Sequence, residues 1–488
     1  MGISMEHSMS DIAHEKDTRG GSSAQILLSN SSSNASFVLQ LPFEVLNQIF
    51  DLALTSYELR DHSKSHSTLT NPAWSLCLVC KQFNLIATPL LYRTLTISSH
   101  PFAPSQSSKF AKSLHSTLDK NPLLRPLCRN LVVQICDKAH QENPLEHWLI
   151  GDVVSWLDVK RLDISGGFTA SSQIWGVVKR ATQGMRRVED IRLKGGPAGL
   201  LLAPIFRTLV GFPSLKKVSL SSISKQPRDP PIWPSETIDG KAGFSSLTLC
   251  YFEEALSGIS SLIRWTSNLE HFTFLRVVFN AESTTLRVFL DILQPHCKSL
   301  KTLRIGVLPN IFLRNGDLSE FTSLESLHVS SRNIHSTPEY TAAFLATSPC
   351  LKTFRFDFLV SQPWNDSWGP EPIQSWDDNS SFEANAPTRP SIVWRGILGP
   401  REGQWLRKLG ELVRCKAPSL KELKIVFMPI GSRSLFNFDE VNEHKYPWTF
   451  VNEFTEKTAD GKLILVYDRP QMTVEDHHSY CMRLAAVL

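Results

Sequence analysis

The chain has 488 residues, of which 42% are apolar and 20% are charged, the balance of an ordinary soluble globular protein with about two to four structural units. Its 51 basic and 47 acidic residues leave a net charge of +4, too weak over this length to predict a general nucleic-acid or anionic-membrane binder. No apolar run approaches the roughly 18 residues of a membrane span, and the N-terminus lacks the apolar core of a secretory signal. We therefore expect neither a membrane protein nor a secreted one.

Nine cysteines are scattered through apolar contexts along the chain. A disulfide framework needs a dense set of cysteines and an oxidising compartment. The cysteine pattern therefore predicts reduced thiols in a cytoplasmic or nuclear protein.

Polar residues dominate positions 1–36, which predicts a disordered tail. Apolar residues then recur at helical spacing, which predicts an amphipathic helix beginning just after Leu41. The polar stretch at 56–72 has no apolar period and is typical of a loop. The helical pattern resumes from Trp74, and we expect Pro89 to end that second helix.

Two ordered motifs lie on these predicted helices. The first is Leu41–Pro42, Glu44–Val45–Leu46 and Ile49–Phe50, and the second is the segment LCLVCKQF at 76–83. Together they resemble the F-box, with a longer polar loop between the two motifs than compact F-boxes have. The resemblance covers about 60 residues, which is small for a domain that folds around its own core alone.

The resemblance implies a small helical F-box domain at 37–91 that docks on the Skp adaptor of an SCF ubiquitin ligase, and so reaches its cullin scaffold. The adaptor contacts that it implies are Leu41, Pro42, Val45, Leu46, Ile49, Val79, Cys80 and Phe83. Some of these apolar side chains must instead form the domain's own core, and we expect Phe50 and Leu76 to belong to that core.

A six-residue pattern, apolar-x-x-apolar-x-apolar, recurs after the predicted helices. It begins at Val159, Val188, Leu215, Phe244, Leu269, Leu300, Leu324, Leu351 and Leu420, with weaker copies at Tyr92 and Cys128. Several copies follow helix-like segments, so the units resemble irregular leucine-rich repeats, whose repeated leucines form a shared core.

The resulting fold class is α/β: a small helical F-box followed by an irregular leucine-rich-repeat-like solenoid at 92–430. A Trp-rich acidic loop at about 362–390 interrupts it; its tryptophans are either interface anchors or packed on the solenoid. The C-terminal segment, 431–488, contains a predicted hairpin turning at Asp460–Gly461 that caps the stack.

Catalytic motifs are missing from the sequence, including phosphate-binding glycine loops, a nucleophile elbow and the zinc-protease motif. Cys77-x-x-Cys80 has metal-ligand or redox spacing, but a second ligand pair is lacking, and helix packing explains the two thiols better. We therefore expect no catalytic residue, no metal and no cofactor. A hidden enzyme would need a deep pocket of converging titratable groups.

Side chains alternate along a strand, so positions 3, 5 and 7 counted from the start of each hexamer point away from the core. The fifth-position column ends in four basic or titratable residues: Arg304, His328, Arg355 and Lys424. This column favours an acidic or phosphorylated peptide as the bound target. The alternative is that these side chains serve only solubility, and acidic neighbours such as Asp357 and Glu422 weaken the field.

The sequence thus predicts a non-catalytic substrate receptor of an SCF-type ubiquitin ligase. The repeat domain would hold an unidentified protein target, and proximity would deliver ubiquitin to it. A scaffold that binds the adaptor without delivering a target for degradation needs the same two surfaces and stays open as an alternative.

Overall fold

A computed structural model divides the chain into two compact units, one ending at Tyr92 and the other beginning at Arg93. The described residues are 41–61, 72–98, 104–135, 144–168, 174–196, 199–224, 242–252, 256–277, 285–311, 316–334, 337–360, 400–429 and 463–467. The predicted tail, the acidic loop and most of the C-terminal segment lie outside them. In these ranges no helix is both long and apolar enough to cross a membrane.

Helices make up the first unit and alternate with strands in much of the second. The described α-helices are α1 (Phe43–Asp61), α2 (Pro72–Cys77), α3 (Lys81–Arg93), α4 (Pro104–Lys120), α5 (Pro144–Trp156), α6 (Ile174–Gly184), α7 (Leu202–Leu209), α8 (Leu256–Trp265), α9 (Leu286–Leu293), α10 (Pro338–Ala346) and α11 (Pro400–Lys416).

Helix α1 begins where the sequence predicts it. The carbonyl of Pro42 accepts the first helical hydrogen bond, from the N–H of Leu46 at 3.1 Å. The prediction of a loop from residue 56 is wrong, because α1 continues to Asp61. Residues 56–61 are mostly polar but contain neither glycine nor proline, so nothing in them breaks a helix.

The predicted second helix is two helices, α2 and α3. The N–H groups of Leu78 and Val79 close a tight turn on the carbonyls three residues earlier, and α3 starts after Cys80. The expectation that Pro89 ends the helix is also wrong, since α3 runs on to Arg93. A proline inside a helix costs about 3 kcal/mol. Burial of Ile86 and Ala87 on the same helix offsets that cost.

Strands of the second unit form one open, parallel sheet in which each strand pairs with the strands before and after it in the chain. They are β1 (Thr94–Ser98), β2 (Asn130–Ile135), β3 (Arg161–Gly166), β4 (Asp190–Gly195), β5 (Lys217–Ile223), β6 (Ser246–Phe252), β7 (His271–Val277), β8 (Thr302–Ile311), β9 (Ser326–Ile334), β10 (Thr353–Val360), β11 (Glu422–Pro429) and β12 (Leu463–Tyr467). The consecutive order and the alternation with helices make the unit an α/β, solenoid-like fold.

Each six-residue pattern begins two residues before a strand, including the two weaker copies, which precede β1 and β2. Positions 4 and 6 of the pattern are buried in every repeat from β2 to β11, as Leu162 and Ile164 are in β3. They face the helices: the ring of Phe274 in β7 lies 4.8 Å from the ring of Phe289 in α9. The core therefore lies between the sheet and the helices. We call the opposite side, which carries positions 3, 5 and 7, the open face.

A backbone ladder holds successive repeats in register just before the strands begin. From Arg129 to Lys352, the carbonyl of each position-2 residue accepts two N–H groups of the next repeat, at 2.7–3.1 Å. Ion pairs reinforce three of these steps: Lys216 with Glu189 at 3.1 Å, Lys301 with Glu270 at 2.9 Å, and Lys352 with Glu325 at 2.7 Å. The hydrogen bonds from the lysines lower the pKa of each glutamate.

The last described strand, β12, extends the sheet in parallel on β11. The predicted hairpin would place residues 463–467 in its second arm, and the other arm and the turn at Asp460–Gly461 lie outside the described residues. Within the described residues, β12 thus continues the stack in parallel, and the hairpin stays a prediction.

Candidate functional site

Two apolar stripes run side by side along α1. Leu46 and Phe50, four residues apart, are buried in the core of the helical unit with Ile86 and Ala87 of α3. Val45, Ile49 and Leu52 lie at spacings of four and seven residues from the first, so they share one face of the helix, and all three are exposed. The helix therefore uses one stripe for its own core and leaves the other uncovered.

The turn between α2 and α3 carries a second group of uncovered apolar side chains. Trp74, Leu78 and Val79 are all more than half exposed. The turn is fixed by Cys80, whose Sγ accepts a hydrogen bond from the N–H of Phe83 at 3.4 Å. The ring of Phe83 in turn contacts the edge of Phe50, with 5.0 Å between ring centroids. The apolar side chains thus lie on a turn that these contacts hold in place.

The F-box resemblance implies a set of adaptor contacts, and its members differ in burial. Pro42, Val45, Ile49 and Val79 are exposed, and Leu41, Cys80 and Phe83 are half-buried. Leu46 is only 1% exposed, and this corrects its assignment: a side chain enclosed by the unit's own core has no surface to offer a partner.

Five exposed large apolar residues of the described helical unit were not in that set: Phe43, Leu52, Trp74, Leu78 and Leu85. The helical spacing of Leu52 relative to Val45 and Ile49 indicates that it belongs to the same exposed stripe. Trp74 and Leu78 carried no such signal, because the sequence does not reveal the break between α2 and α3.

Cys77 and Cys80 both have structural contacts. The carbonyl of Cys77, the last residue of α2, accepts a hydrogen bond from the side-chain amide of Asn84 at 3.0 Å, and Cys80 caps α3. Among the residues that the structure describes, no group of three or more His, Cys, Asp or Glu side chains is arranged to hold a metal ion.

The fifth-position column predicted on the open face is present as a line of register partners. Asp163, Arg192, Ser219, Thr248, Thr273, Arg304, His328, Arg355 and Lys424 pair one with the next across the sheet. Neighbouring strands lie about 4.8 Å apart. The four basic or titratable residues of β8–β11 therefore span about 14 Å.

A buried carboxylate organises the centre of this column. Asp357 is 1% exposed, and His328 Nε2 lies 2.6 Å from its Oδ2. Arg355 donates from Nε to Oδ1 at 2.6 Å and from a terminal nitrogen to Oδ2 at 3.2 Å. The carboxylate thus joins two members of the column, one from each of two neighbouring strands.

This geometry shifts two pKa values. Burial lowers the pKa of His328 and outweighs the opposing effect of Asp357; Arg304 and Arg355 lower it further. Burial would raise the pKa of Asp357, but the hydrogen bonds from His328 and Arg355 together outweigh burial, so its pKa lies below the usual range. At neutral pH the site therefore holds a neutral His328 and an ionised Asp357, with Nε2–H of His328 as the hydrogen-bond donor.

Strict alternation predicts that both His328 and Asp357 are exposed, and this is wrong. Both side chains are buried, because each is a hydrogen-bond partner of the other and Arg355 covers the second carboxylate oxygen. Of the four predicted target-binding residues, Arg304 is exposed, Arg355 and Lys424 are half-buried, and His328 is buried. Three of the four thus have surface to offer a ligand.

At one end of the open face, two arginines share one carboxylate. In β3 and β4, the Nε atoms of Arg161 and Arg192 lie 3.8 and 3.9 Å from the carboxylate of Asp190. In β8–β11 the carboxylate of Asp357 contacts both Arg355 and His328. Among the described ion pairs, none involves Arg304 or Lys424. Positive charge therefore remains available at that end.

Comparisons with known proteins leave the chain without an assigned family: neither the protein-family models nor the curated proteins contain a match to its sequence.

Proposed function

We propose that the chain is a substrate receptor of an SCF-type ubiquitin ligase. In this proposal the helical unit is an F-box that docks on the Skp adaptor, and the leucine-rich-repeat-like unit holds a protein target. The chain performs no chemistry itself. It raises the effective concentration of the target near the enzyme that transfers ubiquitin, which the cullin scaffold carries.

The observation that supports adaptor docking best is the uncovered stripe of α1. Exposed apolar side chains are individually common, but a contiguous patch marks an interaction surface. Val45, Ile49 and Leu52 line up along one face of α1, and Leu78 and Val79 add apolar surface at the turn between α2 and α3. Covering a fully exposed side chain of this kind gains about 1.5–3 kcal/mol, and Val45 and Ile49, which are 38% and 46% exposed, would gain somewhat less than half of that each.

The second unit supports the target-binding half of the proposal. A solenoid-like parallel sheet presents many strands on one face, and that face carries polar side chains in register across the repeats. Such a face binds extended protein segments through successive side chains rather than through a single deep pocket.

The experiment is a calorimetric titration of the full chain with the purified Skp adaptor. The test variant carries Val45→Ser with Ile49→Ser, which removes apolar surface and leaves Leu46 and Phe50 in place. We expect the loss of about 2 kcal/mol, or roughly thirty-fold in Kd. The matched control carries Leu85→Ser with Leu123→Ser, two exposed leucines outside the motif, and should bind as the original chain does. Equal binding by all three proteins would refute F-box docking.

A receptor and a non-degradative scaffold bind the adaptor equally, so a second readout separates them. Proteins that co-purify with the full chain are followed by quantitative mass spectrometry in cells with and without it. Accumulation of one of them when the chain is removed indicates a receptor. Unchanged turnover of all of them indicates a scaffold.

A further inference from the structure

We infer that the open face of β8–β11 binds an acidic segment of a protein target, and that Arg304, Arg355 and Lys424 hold its anionic groups. The inference rests on the proposed function only in identifying the bound protein as the target of the ligase. The binding site itself is argued from the residues of the sheet and is tested without the adaptor.

The distribution of charge along the column carries the inference. At the β3–β4 end, Arg161 and Arg192 share the carboxylate of Asp190. At the β8–β11 end, the carboxylate of Asp357 is buried and already occupied by Arg355 and His328. An arginine and a lysine with no ion-pair partner among the described residues, on either side of a third cation, complement a ligand with several negative charges.

Asp357 acts as a positioning residue for Arg355. Its carboxylate accepts one hydrogen bond from Nε and one from a terminal nitrogen of Arg355, and these two bonds fix the plane of the guanidinium. Arginine has five N–H donors, so three stay available for a ligand. Because the side chain is already held in place, binding an anion costs less conformational entropy than it would with a free arginine.

Spacing favours an extended peptide over a single small anion. The strands of Arg304 and Lys424 are three strand spacings apart, or about 14 Å. An extended chain advances about 3.3 Å per residue, so four or five residues lying across the strands cover that distance. Carboxylates of Asp and Glu and phosphates on Ser or Thr supply the same charged oxygens, and the peptides of the test distinguish them.

The test measures fluorescence anisotropy of labelled peptides with the full chain. The probes are a twelve-residue alternating Glu–Ser peptide, an alternating Gln–Ser peptide of the same length with every serine phosphorylated, and the unphosphorylated Gln–Ser peptide. A twelve-residue oligothymidylate tests nucleic acid as the occupant. Each probe is measured in low and in physiological salt, because charge-assisted binding weakens with screening.

The test variant is Arg304→Thr with Lys424→Thr, since threonine already occupies the same column in β6 and β7. Arg355 is left in place, because Asp357 would otherwise lose a partner. The matched control is Arg192→Thr with Lys217→Thr, which removes two positive charges near Asp190 at the other end of the sheet. Circular dichroism and thermal melting test whether all variants fold. If the double variant does not fold, the single variant Arg304→Thr takes its place.

We expect the original chain and the control to bind an anionic peptide and the test variant to bind it at least about ten-fold more weakly. Binding of the Glu–Ser peptide identifies carboxylates as the ligand, and binding of the phosphopeptide alone identifies phosphate. The inference is overturned by equal binding of the neutral peptide, by an equal loss in the control, by tighter binding of oligothymidylate, or by no binding of either anionic peptide.

A further variant tests the chain's own acidic loop as the occupant. In it, five carboxylates are changed to amides: Asp366, Glu371, Asp377, Asp378 and Glu383. If only this variant binds the anionic peptides, the face is occupied by the chain itself and the inference about a target is wrong. Because no adaptor is present, none of these results depends on whether the helical unit is an F-box.

Discussion

His328 of β9 and Asp357 of β10 form a short buried hydrogen bond, with 2.6 Å between Nε2 and Oδ2, on the face of the sheet that strand alternation assigns to solvent. Arg355, two residues before Asp357, binds the same carboxylate from the other side. The pair therefore links two strands through polar side chains, away from the apolar core. It also fixes the arginine at the centre of the basic column.

Removing one member of the His328, Arg355 and Asp357 cluster should destabilise the repeat unit more than replacing all three. Arg355→Met leaves the Asp357 carboxylate buried with His328 alone, and we expect a loss of about 3 kcal/mol in the free energy of unfolding. Arg355→Met with Asp357→Leu and His328→Leu replaces the cluster by apolar side chains and should recover most of that loss. Chemical denaturation of the original chain and the two variants measures it. A triple variant less stable than the single one would contradict this account.

The lowered pKa of His328 predicts a loss of stability in mild acid. Folding keeps His328 neutral below the pH at which the unfolded side chain, with a pKa of about 6.5, takes up a proton. Its contribution is therefore complete above about pH 6.5 and declines as the pH falls from there towards the lower pKa of the folded state.

The comparison variant is His328→Gln, which retains a donor for Asp357 but does not titrate. Between pH 8 and pH 5.5 the original chain should lose more stability than this variant, as measured by denaturant titration at each pH. Asp357 contributes nothing in this window, because its pKa is lowered and lies far below it. Parallel pH profiles for the two proteins would show that His328 is not the group responsible.

The ladder of lysines and glutamates before the strands predicts a small, salt-dependent effect. Glu325→Lys breaks the pair with Lys352 and places a fourth positive charge near Lys301, Lys352 and Lys421. We expect a slightly lower melting temperature at low ionic strength. The difference should nearly vanish in 1 M NaCl, where the Debye length is about 3 Å. A difference that is unchanged by salt would mean that the substitution acts through the backbone ladder instead.

Neighbouring residues of α1 should respond oppositely to truncation. Leu46→Ala removes a buried side chain of the helical unit and should cost about 2–5 kcal/mol. Val45→Ala acts on an exposed position and should change stability by less than about 0.5 kcal/mol. Hydrogen exchange of α1 and α3 peptides reports on this unit separately from the repeats. Similar exchange in both variants would contradict the assignment of the two stripes.

Most of the repeat unit could be predicted from the sequence because its signal is periodic. The six-residue pattern places every strand from β1 to β11, and alternation from the leucines then identifies the fifth-position column, including Arg304 and Lys424. A single repeat would not have sufficed. The constant offset between pattern and strand gives the column its register.

Features that depend on particular contacts could not be predicted in the same way. The break after Cys77 depends on a sulfur cap and a tight turn, and the passage of α3 through Pro89 depends on burial elsewhere in that helix. The burial of Asp357 depends on hydrogen bonds from two strands. Each of these outcomes follows from partners distant in sequence or from a balance of energies, and apolar periodicity contains neither.

The central claim is that the helical unit docks on the Skp adaptor through the uncovered side of α1. Hydrogen exchange of the full chain, with and without saturating adaptor, tests this claim most directly because it reports both binding and its location. We predict slower exchange in peptides covering residues 42–52 and 74–80, and no such change in the variant with Val45→Ser and Ile49→Ser. Unchanged exchange in both segments of the original chain, with the adaptor in excess, would contradict the claim.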